Sequence, residues 1–206
     1  LNVGNDNALG TGDLAVTGGV VNLGTSKVGN TVFLNGGTIA GGTINLATTK
    51  VLTATAGTLS SLIEGDGSLV KTGTGTLTLS GANVAFTGTT AISGGTVTLG
   101  DNAALGTGAV SVTGGSLNLG GRSIINLVTI NGGTVNLTTT TVTNSVTLVN
   151  GSLLGGTVDI ATALNAQAGT ISSVLSGVGS LSKTTDGALS LQGNNTYQGG
   201  TTIAGG

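Results

Sequence analysis

Twelve charged side chains bound the chemistry open to this chain. They are Lys27, Lys50, Lys71, Arg122 and Lys183 against Asp6, Asp13, Glu64, Asp66, Asp101, Asp159 and Asp186, and there is no His or Cys. Nucleophilic catalysis of the Ser–His or Cys–His kind therefore has no base and no thiol, and zinc has no plausible ligand set. Paired carboxylates could still serve glycoside chemistry or a calcium-dependent lyase. Glu64 and Asp66 are the nearest pair in sequence, two positions apart in a Gly-rich stretch, where solvated turn carboxylates are the simpler expectation. A lyase also needs a base. Lys71 is at hand but recurs as Lys183, and a lysine repeated in step is more simply structural or edge-protecting. The Gly-Gly-x-Gly-x-Asp calcium pattern is absent, and the stretch from Gly67 to Gly73 lacks the Lys-Ser/Thr ending of a phosphate-binding loop. No catalytic, cofactor-binding or metal-binding residue is expected, and no cofactor.

Surface arrays offer a different chemistry. Thr53/Thr55, Thr76/Thr78 and Thr96/Thr98 are Thr-x-Thr pairs 23 and then 20 residues apart, a spacing that could lay hydroxyls out on a flat face and bind ice. The later counterparts read Ser116/Asn118, Thr134/Asn136 and Thr157/Asp159, so the array does not continue, and outward Thr is in any case a good strand residue. An ice-binding solenoid and a carbohydrate-active β-helix enzyme remain the two alternatives to a structural reading.

The elements that would carry these residues follow from composition. Of 206 residues, 41 are Gly, none is Pro, Met or Trp, and the only rings are Phe33, Phe86 and Tyr197. A globular core of this size normally uses several large rings. Here the apolar set is nearly all Val, Leu, Ile and Ala, which suits a narrow interior lined by strands. Disorder does not fit a chain that is 37% hydrophobic and 6% charged. A net charge of −2 without a basic cluster argues against a nucleic-acid partner. No apolar run approaches the ~18–20 residues that would insert in a membrane as a helix.

A short unit repeats along the chain: a Gly corner followed by alternating apolar residues. It reads Gly18-Gly19-Val20-Val21-Asn22-Leu23, Gly41-Gly42-Thr43-Ile44-Asn45-Leu46 and Gly94-Gly95-Thr96-Val97-Thr98-Leu99. It returns at Gly114–Leu119, Gly132–Leu137 and Gly155–Ile160. Alternation of period two puts the apolar side chains on one strand face and Thr, Asn and Ser on the other. Many of these corners are preceded by a second alternating segment, such as Leu14/Val16, Val32/Leu34 and Val110/Val112. Strand, Gly corner, strand and loop make one rung, and one rung cannot bury its own apolar face whereas a stack can. The spacing predicts an all-β, right-handed parallel β-helix (β-solenoid) of about eleven rungs of roughly 19 residues. An antiparallel sandwich is the competitor. Inside the solenoid, Leu23, Leu46, Leu99, Leu119 and Leu137 are expected to form one core ladder.

A longer unit overlies the short one. Asn5-Asp6-Asn7-Ala8-Leu9-Gly10-Thr11-Gly12 returns as Asp101-Asn102-Ala103-Ala104-Leu105-Gly106-Thr107-Gly108, with Leu9 on Leu105 at an offset of 96. Asn30-Thr31-Val32-Phe33-Leu34 returns as Asn144-Ser145-Val146-Thr147-Leu148 at an offset of 114. The difference, 18 residues, is one rung. The chain thus divides into a first super-repeat, 1–95, and a second, 96–206, with one extra rung near 122–139. The two form one continuous solenoid, read as an excerpt of a longer array.

Two segments carry a more specific pattern. The first holds Gly65, Gly67, Leu69, Lys71, Gly75, Leu77, Leu79, Gly81 and Asn83; the second holds Gly177, Gly179, Leu181, Lys183, Gly187, Leu189, Leu191, Gly193, Asn195 and Tyr197. Both resemble the autotransporter-associated β-strand repeat. The first copy departs from the pattern where Val84-Ala85-Phe86 replaces Thr196-Tyr197 with one residue added. The resemblance implies the passenger region of a bacterial type V secreted surface protein, extracellular or at the cell surface. There such repeats build a non-catalytic β-helix shaft. The expected partners are adjacent repeats or further copies, end to end. Any host or neighbouring-cell contact would come through other regions.

Overall fold

The computed structural model describes residues 1–143 and 146–206, so the Asn144-Ser145 part of the second long repeat lies outside the described residues. Among the described residues there is no helix, and every strand pairing is parallel. Parallel pairing throughout excludes the antiparallel sandwich. The alternating Val, Leu and Ile positions turn inward, and a corner ends each strand after two to four residues or bends a longer one around the coil.

The pairings sort the strands into three stacks. In the first, Val16, Leu34, Ala54, Lys71, Ile92, Val112, Ile130, Leu148 and Ala166 sit over one another in register. The pairing of Asn165 with Ser182 then places Lys183 on Ala166, and Ile203 follows. These eleven members are separated by ten turns of a β-solenoid, a rod ~48 Å long at ~4.8 Å per level. The second stack holds Val20–Asn22, Thr76–Leu79, Thr96–Leu99, Ser116–Asn118, Gly169–Ile171 and Leu189–Leu191, with the ends of Val32–Ala40 and Val51–Leu59 and the middle parts of Val128–Val142 and Val146–Asp159. The third holds Lys27–Val28, Thr43–Asn45 and Leu62–Glu64, and later the ends of Val128–Val142 and Val146–Asp159 with Val174–Ser176. Between those groups its place is taken by turns. Five levels separate Leu14 from Val110, and six separate Val32 from Val146.

The core is a continuous column of small aliphatic side chains with one ring, Phe86, fully buried among them. All five ladder leucines are inside, but they do not make one ladder. Leu99, Leu119 and Leu137 stack, in a column that begins Val21, Ile39, Leu59 and Leu79. Leu23 lies one inward position beyond Val21, and Leu46 stands on the third stack beside the Asn45–Glu64 pairing. The reason is that one hexapeptide serves two corners. Gly18-Gly19 turns the chain from first to second stack, whereas Gly41-Gly42 and Gly155-Gly156 turn it from second to third. Sequence likeness alone does not tell the corners apart.

Candidate functional site: two lysine stations in the core

Lys71 ends the strand Ser68–Lys71 at an inward position, so alternation alone drives its side chain into the core, where it is fully buried. A buried ammonium must find acceptors or lose its charge. Its Nζ donates to the carbonyls of Thr72 at 2.6 Å, Gly94 at 3.1 Å and Gly73 at 3.3 Å, which fills its three donor positions. Ala54 in the level before leaves room for the stem. Gly94-Gly95 in the level after closes over the ammonium so tightly that a Cβ on Gly95 would lie 2.5 Å from Nζ. Burial holds the Lys71 amine below its ordinary value. The lysine is thus a fastener inside the corner rather than a charge guarding a strand edge.

The second copy repeats this arrangement six levels on. Lys183 is buried over Ala166, and its Nζ donates to the carbonyls of Thr185 and Gly205. A Cβ on Gly206 would lie 2.6 Å from that Nζ.

The motif asparagines make a second kind of fastener. Asn83 is buried; its Oδ1 accepts from the Ile63 N–H of the level before at 2.7 Å, and its Nδ2 donates to the Ala104 carbonyl of the level after at 2.6 Å. Asn195 Oδ1 accepts from the Leu175 N–H at 2.9 Å. Gly81 and Gly193 precede these asparagines, and a Cβ at either would come within 2.3 Å of the carbonyl of Ser61 or Ser173. Gly65 and Gly177 take matching positive φ values of 95° and 94° as the third stack ends. Gly67 and Gly179 pass close over the carbonyls of Lys50 and Thr162, while Gly75 and Gly187 pack against Ala56 and Ala168. Leu69, Leu77, Leu79 and Leu181 are core residues, whereas Leu189 and Leu191 lie in the last described level of the second stack and Leu191 is exposed. Phe86 occupies the place of Tyr197, since Thr87 and Gln198 donate to equivalent carbonyls, Gly65 and Gly177. Tyr197 is half-buried, with its hydroxyl 2.5 Å from that of Thr201.

The carboxylates do not assemble into a site. Glu64 lies at the end of the strand Leu62–Glu64, not in a turn, and forms an ion pair with Lys27. Asp66 accepts both of its contacts from the Thr48 hydroxyl, at 2.9 and 3.1 Å. Asp101 accepts from the Ala103 N–H of its own turn, and Asp6 from the Lys27 N–H. Among the described residues no three His, Cys, Asp or Glu gather as metal ligands. Thr53 and Thr55 also fall out of the proposed array, because they lie in the first-stack stretch of their strand. Thr58 is the residue in register with Thr38 and Thr78.

Sequence reasoning missed one pair. Asn30 Nδ2 donates to the carbonyls of Gly10 and Gly12 at 3.2 and 2.6 Å. Asn126 Nδ2 donates to those of Gly106 and Gly108 at 3.2 and 2.7 Å. The offset is 96, the same that carries Leu9 onto Leu105, so extending that alignment past the turn would have found the pair. The 114-residue alignment pointed Asn30 at Asn144 instead.

A family model described as the passenger-associated-transport-repeat matches residues 69–99 and 181–206, the two segments that hold the lysine stations. No curated protein and no solved structure matches the chain.

Proposed function

We propose that this chain is a non-catalytic shaft segment of a secreted or surface-exposed passenger protein, with length as its product. The carrying observation is the in-register column running through ten turns, buried from Val16 to Lys183, with a lysine station at each family match. A shaft needs levels that touch only their neighbours, and here each level pairs with the one before and the one after. Neighbouring repeats or further copies stacked end to end are its partners, and adhesive contacts lie elsewhere. The division into super-repeats at 1–95 and 96–206, with a level added at 122–139, is part of this reading. It is supported by the five-level and six-level separations. Negative-stain microscopy of the intact parent protein tests the proposal. Rods in which this segment accounts for ~48 Å are expected; compact particles would overturn it.

The outward face of the second stack supports an ice-binding reading in second place. Thr76, Thr96, Ser116, Thr134, Ser152, Thr170 and Ser190 stand in register there, beside Thr38, Thr58, Thr78 and Thr98. A thermal-hysteresis assay separates the two readings, and a shaft gives none.

A further inference from the structure

Three Asn-Gly steps lie at the corner between the first and second stacks: Asn35-Gly36, Asn131-Gly132 and Asn150-Gly151. All three asparagines are exposed, so solvent access does not distinguish them. Their side chains do differ. Asn35 Oδ1 faces the Thr55 hydroxyl at 3.2 Å, one level on. Asn150 Oδ1 instead accepts from the N–H of Gly151, its own successor, at 2.8 Å. That contact folds the side chain back on the main chain. The amide carbon Cγ is one C=O bond behind that oxygen, hence within ~4 Å of the Gly151 nitrogen.

The corner explains the contact. Asn150 pairs with Asn131, but the register slips on both sides of that pair, between Ile130 and Asn131 and between Asn131 and Thr134. Val149 is therefore the extra residue, and Asn150 stands opposite Asn131, one position earlier than a simple count from Leu148 would put it. Gly151, at φ 105°, stacks so closely between Gly133 and Gly169 that a Cβ on it would meet the Gly133 carbonyl at 2.3 Å. The close packing fixes the Gly151 nitrogen while the solvent-facing side chain lies across it.

We infer that Asn150 is a site of self-modification by deamidation, favoured by the fold rather than suppressed by it. The Gly151 nitrogen, having given its proton to hydroxide, attacks Asn150 Cγ. A C–N bond forms, the bond to the side-chain NH₂ breaks, and that nitrogen leaves as ammonia after taking a proton from water. The product is a five-membered succinimide. Water then adds to one of its two carbonyls and opens the ring, leaving aspartate or isoaspartate. No redox partner is needed. Either product adds a negative charge to a chain of net charge −2. Isoaspartate also inserts a methylene into the main chain, where adjacent levels stack without room for a Cβ. The site therefore accumulates charge and a loosened corner with age.

The experiment incubates the purified chain in mildly alkaline buffer, folded and in denaturant, and follows all three asparagines by peptide mapping with isoaspartate detection. In the fold, Asn150 should convert about tenfold faster than Asn35, and no slower than it does in denaturant. In denaturant the three should convert at similar rates. Asn150→Gln should slow the accumulation of the acidic form in the folded chain severalfold. A folded-state rate at Asn150 equal to or below that of Asn35, or well below its own rate in denaturant, overturns the inference.

Discussion

Replacing Lys71 by Met keeps the buried stem and deletes the ammonium, which isolates what the charge contributes. Three carbonyls, those of Thr72, Gly73 and Gly94, lose their donor. Leaving a buried acceptor unsatisfied costs ~1–3 kcal/mol, so the three orphaned carbonyls carry a gross cost of ~3–9 kcal/mol. Against it stands the desolvation of the ammonium, several kcal/mol that the thioether does not incur. The orphaned carbonyls stay shut under Gly95, so the loss should prevail, and Lys71→Met should destabilise by about 1–3 kcal/mol. Lys71→Ala also removes three buried methylenes at ~0.8 kcal/mol each, for a total of about 3–5 kcal/mol. The readout is hydrogen exchange along the chain, because a solenoid opens by levels. Protection should fall at 51–59, 68–79 and 89–99 and stay unchanged beyond Val128. The pH dependence carries its own sign. Burial holds the folded amine below its ordinary value of 10.5, so approaching 10.5 from below the unfolded chain holds more of this proton than the folded one. The Lys71 contribution to stability therefore rises with pH through that window, and Lys71→Met should lack the rise. A Lys71→Met chain as protected as the parent would refute the reasoning, leaving the lysine as volume only.

Three further perturbations probe the stack elsewhere. Leu119→Asp puts an unpaired charge into the column between Leu99 and Leu137 and should cost more than ~4 kcal/mol, read as loss of the folded circular-dichroism signal at ambient temperature. An unchanged melting temperature would refute that placement. Asn126→Ala strips the donor from the Gly106 and Gly108 carbonyls and should destabilise by ~1–3 kcal/mol, with exchange rising across 101–110. Gly108→Ala would push a Cβ to 1.8 Å from the Gly88 carbonyl, so it should open these levels further than Asn126→Ala does, in the same exchange experiment.

How much could be read beforehand depended on whether a feature repeats within one strand or arises between levels. Strand alternation and the Gly corners are local, and they carried the solenoid, the parallel stacking and the burial of Leu23, Leu46, Leu99, Leu119 and Leu137. Column membership is not local. The hexapeptide after Gly18 and that after Gly41 look alike, yet they stand on different stacks, because the corner a Gly-Gly turns is set by the residues between corners. Lys71 shows the limit most clearly. Its position in an alternating strand, Leu69 in and Val70 out, already pointed its side chain inward. What the sequence could not display was the matching Ala54 below and Gly95 above, 17 and 24 residues away, which make a buried ammonium tolerable.

Those distances bear on why a solenoid would keep such a residue. A parallel stack of short aliphatic strands specifies its register weakly, since a rung shifted by two residues still presents Val, Leu or Ile to the core. An ammonium that must reach three carbonyls, with Ala required on one side and Gly-Gly on the other, is satisfied at a single register. The same holds for Asn83, which needs Ile63 on one level and Ala104 on another. The contacts of Asn83 and the Lys71–Gly94 contact join adjacent levels, whereas those to Thr72 and Gly73 lie within the lysine's own level, so slippage between the Lys71 and Gly94 levels would leave a buried ammonium one acceptor short. Two stations six levels apart, ~29 Å along the rod, divide the aliphatic column into lengths over which error cannot accumulate. The lysines thus give the stack a register that its hydrophobic core alone would leave degenerate.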